Sequence, residues 1–189
     1  MEIRKGKMPG RNILQGLIVG LPMLLVFNTA NAQQGPPASD ADYIKLVMTA
    51  APEQVVRDVT IVRMQKDGAM QTLKKGTNEF TCMIANDVPM CSDPNAMEWA
   101  HAWQTHSPPP DKVGFIYMLN GDTGASNTDP WATKPESGNH WIKTGAHVMI
   151  VGSPAKTMTG YPRTSDPDPT KPYVMWPGSP YEHLMLPVK

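Results

Sequence analysis

Nowhere beyond Phe27 does this 189-residue chain carry an apolar run long enough to cross a bilayer, and it holds just two cysteines. It has no surplus of either charge, with 17 Lys and Arg against 17 Asp and Glu. Motifs that fix a chemistry are missing as well. There is no C-x2-4-C knuckle for zinc, no C-x-x-C redox pair and no G-x-S-x-G elbow around a serine. These absences argue against a zinc module, a dithiol oxidoreductase and an α/β-hydrolase. The balanced charge gives nucleic acid no electrostatic footing.

What is present begins at the N-terminus. Arg4, Lys5, Lys7 and Arg11 precede an apolar stretch at 13–27, and Ala30-Asn31-Ala32 follows it. This is the layout of a secretory signal peptide over 1–32, cleaved after Ala32. The apolar stretch is about 15 residues and contains Gly16, Gly20 and Pro22, short of the roughly 20 that a spanning helix needs. No cysteine lies near the cleavage point for lipid attachment, and there is no twin-arginine pair. The expected organisation is a signal peptide at 1–32, a flexible leader at 33–39 and one globular domain at 40–189. Residues 33–189 hold 13 basic against 16 acidic residues, so neither nucleic acid nor an anionic membrane is an expected partner. The expected localisation is export, to the periplasm or beyond the cell.

Export explains the cysteines. In an oxidising compartment Cys82 and Cys91 pair, and eight intervening residues let the chain turn back between them. Eighteen of the 20 prolines fall after residue 32, which predicts long ordered loops between short elements.

Ser39 or Asp40 can cap a helix with Ala41, Ile44, Val47 and Met48 on one stripe, and Pro52 suits the first position of a second short helix. TIVRMQ and AMQTLKK flank Lys66-Asp67-Gly68 as a hairpin, and EFTCMI continues it as an antiparallel meander. Asp93 and Pro94 start a central helix that places Ala96, Trp99, Ala100 and Trp103 on one face until Pro108-Pro109-Pro110 stops it. VGFIYML, HVMIVG, YVMW and YEHLMLPV read as strands. The expected fold is α+β: short N-terminal helices and one central helix packed on an antiparallel, partly barrel-like sheet with long proline-rich loops.

Five stretches, KGTNEFTCM, MCSDPNAMEW, GFIYMLNGDTGASNTDP, HVMIVG and YVMWPGSPYEHLMLPV, resemble those of a family of exported bacterial proteins without assigned activity. Phe80 stands where that family more often carries tryptophan. The resemblance implies a common fold and export, and no reaction.

Candidate chemistry lies in three places. His147 with Met149, and His183 with Met185, each share one face of a strand. Imidazole with thioether suits copper, and two such strands side by side would offer two nitrogens and two sulfurs. The plainer reading is core packing, with methionine filling gaps and histidine bonded to backbone carbonyls. The loop GDTGASNTDP supplies oxygens from Asp122, Thr123, Ser126, Asn127 and Asp129, but it departs from the EF-hand pattern, so calcium is the weaker cofactor expectation. Trp131 and Trp141 flank the same loop, while Trp176 and Tyr181 bracket PGSP. Exposed aromatics there would bind a small molecule, a glycan or a protein. Glu98 and His101 share a helical face without a second such pair and are read as solvated. The chain is thus expected to be a ligand- or partner-binding or structural module needing no cofactor. Copper binding through the His-x-Met pairs is the alternative, and a hydrolase without a recognisable motif the third.

Overall fold

In a computed structural model, residue 37 and residues 39–188 are described, and they lie in one compact unit. The signal peptide expected at 1–32 and most of the leader expected at 33–39 lie outside the described residues.

The first helix, α1 (Asp40–Val47), is capped by Ser39, whose hydroxyl accepts from the Asp42 N–H, and Asp40 and Asp42 sit favourably in its first turn. Of the expected stripe, Val47 is fully buried and Ile44 and Met48 pack half-buried against the same core, while Ala41 is exposed and Tyr43 is buried in addition. Tyr43 anchors this face. Its hydroxyl donates to the Val62 carbonyl at 3.0 Å and accepts from the Ile84 N–H at 2.9 Å, tying the helix to two strands. Helix α2 (Glu53–Val56) follows with Pro52 as its N-cap, one position earlier than expected. Helix α3 (Pro94–Gln104) starts as its sequence dictates: one Asp93 carboxylate oxygen accepts from Ala96 N–H at 2.7 Å. The other oxygen accepts from Phe115 N–H at 3.1 Å, so the cap also pins the next strand.

Eight strands form one sheet: β1 (Thr60–Met64), β2 (Met70–Lys74), β3 (Thr81–Ala85), β4 (Val88–Ser92), β5 (Gly114–Met118), β8 (His147–Val151), β9 (Tyr173–Met175) and β10 (His183–Pro187). Their spatial order is β2-β1-β3-β4-β5-β8-β10-β9. Two short strands, β6 (Ala125–Ser126) and β7 (Trp141–Ile142), close the intervening loop into a ladder of their own.

Two expectations are corrected. The meander does not continue, because β3 lies on the far side of β1 and runs parallel to it, which makes the sheet mixed. Gly76 directs the crossing: the N–H groups of Thr77 and Asn78 both donate to the Asp58 carbonyl, and a Cβ on Gly76 would overlap the Val59 backbone. Nor is the sheet a barrel. It is open, with β2 at one edge and β9 at the other. The β9 edge is occupied by a loop, since the Val174 N–H donates to the Pro162 carbonyl, and β2 presents mostly exposed residues to solvent.

Strand alternation gives the sheet two apolar faces. On one, Cys82 and Cys91 stand opposite each other with Cα atoms 4.0 Å apart, disulfide-bonded and fully buried beneath α1 and α2. On the other, Ile116, Met118, Val151, Met175 and Met185 pack beneath α3 with Ala96 and Trp99. Gly114 sets the approach of α3, because a Cβ there would overlap the Ala96 backbone.

Candidate ligand-binding cavity

The α3-facing side of the sheet does not fill completely. It floors a cavity of about 920 Å3, within the range of small-molecule sites. Nine of the eleven methionines in 33–189 line it. Met83, Met90, Met118, Met149, Met175 and Met185 come from successive strands of the floor, Met97 comes from α3, and Met64 and Met70 stand at the exposed rim.

Strands β8 and β10 are hydrogen-bonded neighbours, so the two His-x-Met pairs do come together. Met149 stands directly opposite Met185. His147 lies across from Met118 on β5, and His183 across from Met175 on β9. Each histidine hands one ring nitrogen to its own chain: His147 Nδ1 is 2.7 Å from the Gly145 carbonyl and His183 Nδ1 is 3.0 Å from the Tyr181 carbonyl. A carbonyl only accepts, so each Nδ1 carries the proton and each Nε2 presents a lone pair. Both Nε2 atoms are buried without a hydrogen-bond partner in the protein. Burial holds both imidazoles below the usual histidine pKa, His183 down to about 4, and so keeps them neutral at pH 7.

The roof is aromatic. Trp99 and Trp103 of α3 stack on Trp176 with centroids 6.0 and 5.7 Å away, and the His183 ring stands edge-on to Trp176 at 4.8 Å. Trp176 follows β9 in a left-handed conformation, φ +57°, which is uncommon for a bulky residue and persists only where contacts over-determine it. Here its indole N–H donates to the Ser126 carbonyl at 2.8 Å and its backbone N–H to the Asn127 carbonyl. The indole N–H groups of Trp99 and Trp103 are buried and unpartnered. Of the five such side-chain atoms among the described residues, four belong to side chains lining this cavity: two donors from the roof and two acceptors from the floor.

The 121–141 loop closes one end. Its candidate calcium ligands serve the loop itself. Asp122 Oδ1 accepts from Gly124 and Thr144 N–H groups, Ser126 Oγ accepts from Thr128 and Asp129, and Asp129 accepts from Trp131 N–H. The Asn127 side-chain amide donates to the carbonyls of Thr164 and Ser165. Burial raises the Asp122 pKa against those two N–H donors, and its charge acts on His147. Among the described residues no group of three or more His, Cys, Asp or Glu is placed to hold a metal ion.

Of the expected binding aromatics, Trp131 is at the exposed rim, stacked on His106 at 4.5 Å, and Trp141 is half-buried in the cavity wall. Tyr181 is buried and structural, its hydroxyl donating to the Ser107 carbonyl at 2.8 Å. The segment after Trp176 is likewise closed by Glu182, which is buried, paired with Arg163 at 3.2 Å and accepting from Gly178 N–H. Glu98 pairs with Lys112 at the surface. Sequence reasoning missed Met118 as a flank of His147 and placed Trp99 and Trp103 on one face of a helix without a role at a site. Period-two alternation in GFIYM carried the signal for the former.

No protein-family model, no curated protein and no solved structure matches this chain.

Proposed function

We propose that this is an exported binding protein whose guest is a small, uncharged, largely apolar molecule held in the methionine-lined cavity. The observation that carries the reading is that four buried, unpartnered polar atoms belong to side chains that line one cavity. Buried polar atoms are rarely left unpaired, and each unmet one costs about 1–3 kcal/mol. A guest that accepts from the Trp99 and Trp103 N–H groups and donates to the histidine lone pairs removes that penalty on binding. No Lys or Arg lines the cavity, and its two carboxylates, Asp87 and Asp122, lie in turns beyond the floor strands, which supports an uncharged guest. Methionine adapts to irregular apolar shapes and supports some breadth of guest. The buried disulfide supports work in an oxidising compartment.

An environment-sensitive apolar dye tests this. Residues 33–189 should bind the dye saturably and quench the cavity tryptophans. Met149→Trp, which fills the floor, should weaken dye binding at least tenfold while circular dichroism stays unchanged. Equal binding by the folded variant and the wild type would overturn the reading.

A further inference from the structure

The two His-x-Met pairs lie on bonded strands, but their histidines stand at opposite ends of the ladder. His147 is level with Pro187, four residues along β10 from His183, roughly 14 Å at about 3.4 Å per residue, so a single ion does not reach both rings. Each histidine has its own sulfurs instead. Met175 on β9 stands directly opposite His183, and Met185 follows His183 by two residues on the same face of β10. In an antiparallel ladder, opposite residues lie about 4.5–5.5 Å apart, same-face residues along one strand about 6.8 Å and diagonal ones about 7–8 Å. Flexible methionine side chains at those spacings can reach the neighbouring imidazole over one sheet face. All three residues line the cavity, and none is more than 3% exposed. Met118 and Met149 stand in the same relation to His147, but the Asp122 carboxylate acts there and makes that set mixed.

His183 is prepared as a ligand. Its Nδ1–H is held by the Tyr181 carbonyl, which fixes the tautomer and leaves Nε2 bare, as for a metal-binding histidine. The Trp99 ring stands 5.3 Å from the imidazole, yet its indole N–H is itself buried and unpartnered, so this neighbouring donor does not take the lone pair. Glu182, the preceding residue, is committed to Arg163 and the Gly178 N–H. One neutral nitrogen and two thioethers make a soft, uncharged donor set. Hard cations find no oxygen in it to replace their water, whereas copper(I) is the ion that thioether and imidazole suit. Trp176 follows Met175 directly, so its left-handed turn at φ +57° sets ring and sulfur together. That ring stands 4.8 Å from the imidazole and puts aromatic surface beside a bound cation.

We propose that His183 Nε2 and the sulfurs of Met175 and Met185 form a binding site for one copper(I) ion at the tryptophan end of the cavity. The inference rests on the same cavity admitting a ligand, and the ion and an organic guest compete for the His183 lone pair.

The test is an anaerobic titration of residues 33–189 with copper(I) held by a chromophoric chelator, with dye binding measured in parallel. His183→Gln removes the nitrogen. Met175→Leu/Met185→Leu removes both sulfurs at nearly constant volume, the kind of swap that cores tolerate best. His140→Ala is the control, since His140 lies outside the cavity and pairs with Asp166. The expected result is one ion per wild-type chain, displacement of the dye and normal capture by the control. Both ligand variants should lose more than the roughly 10–100-fold in affinity typical of disturbing a metal ligand's supporting hydrogen bond. Wild-type failure to take copper(I) would overturn the inference while leaving the cavity reading intact if the dye still binds; failure of both would sink both. Capture that survives in the folded methionine variant would also overturn the site as assigned, and that variant decides alone if His183→Gln does not fold.

Discussion

His183 shows how one residue's surroundings set a property of the whole fold. Its ring is enclosed by Trp99 and Trp176, its Nδ1 bonds the Tyr181 carbonyl, and Glu182 and His147 are the charged or titratable groups that act on it. Burial brings its pKa down to about 4, against about 6.5 in an unfolded chain. Between those values the unfolded chain takes up a proton that the folded one refuses. Stability is therefore complete above pH 6.5 and falls as pH drops toward 4. His183 alone contributes a loss of about 2 kcal/mol between pH 7 and 5, and His147 adds in the same direction. Urea unfolding at the two pH values measures this, and His183→Gln should flatten the dependence. The sequence announced both histidines and their methionine neighbours by spacing alone. It could not announce the bare Nε2 atoms, because those follow from where the Gly145 and Tyr181 carbonyls come to lie.

Among the elements, those with strong local chemistry were legible. Ser39 and Asp93 cap the helices that their side chains predict, and Lys66-Asp67-Gly68 turns the β1–β2 hairpin. Placement was not legible where it depends on a contact far along the chain. Asp58 receives Thr77 and Asn78 and sends β3 to the parallel side of β1, while Tyr43, outside the expected stripe, ties α1 to two strands. The approach of α3 depends on one missing atom at Gly114. Gly114→Ala should lower stability by roughly 1–3 kcal/mol, as overpacking generally does, and should weaken dye binding by lifting Trp99 and Trp103 from the floor. A shifted urea midpoint with unchanged dye affinity would show that α3 does not roof the cavity.

At the scale of the molecule, one sheet serves two cores. The disulfide and the first two helices consolidate one face, and the cavity occupies the other beneath α3. The α+β class was readable from the order of patterns. The open edge was not, since closure turns on whether a loop or a strand takes the outer side of β9. The methionine floor carries a further consequence. A thioether accepts an oxygen atom from peroxide, which leaves as water, and the apolar side chain becomes a polar sulfoxide. With nine such sulfurs around one chamber, an oxidant that enters would convert its wall from oily to wet. Peroxide-treated protein should therefore gain 16-dalton increments first at rim residues Met64 and Met70, which are 40% and 47% exposed, and lose guest capture as the inner sulfurs follow. Mass spectrometry of peptides alongside dye binding would read that order, and methionine sulfoxide reductases would be the enzymes that restore the chamber.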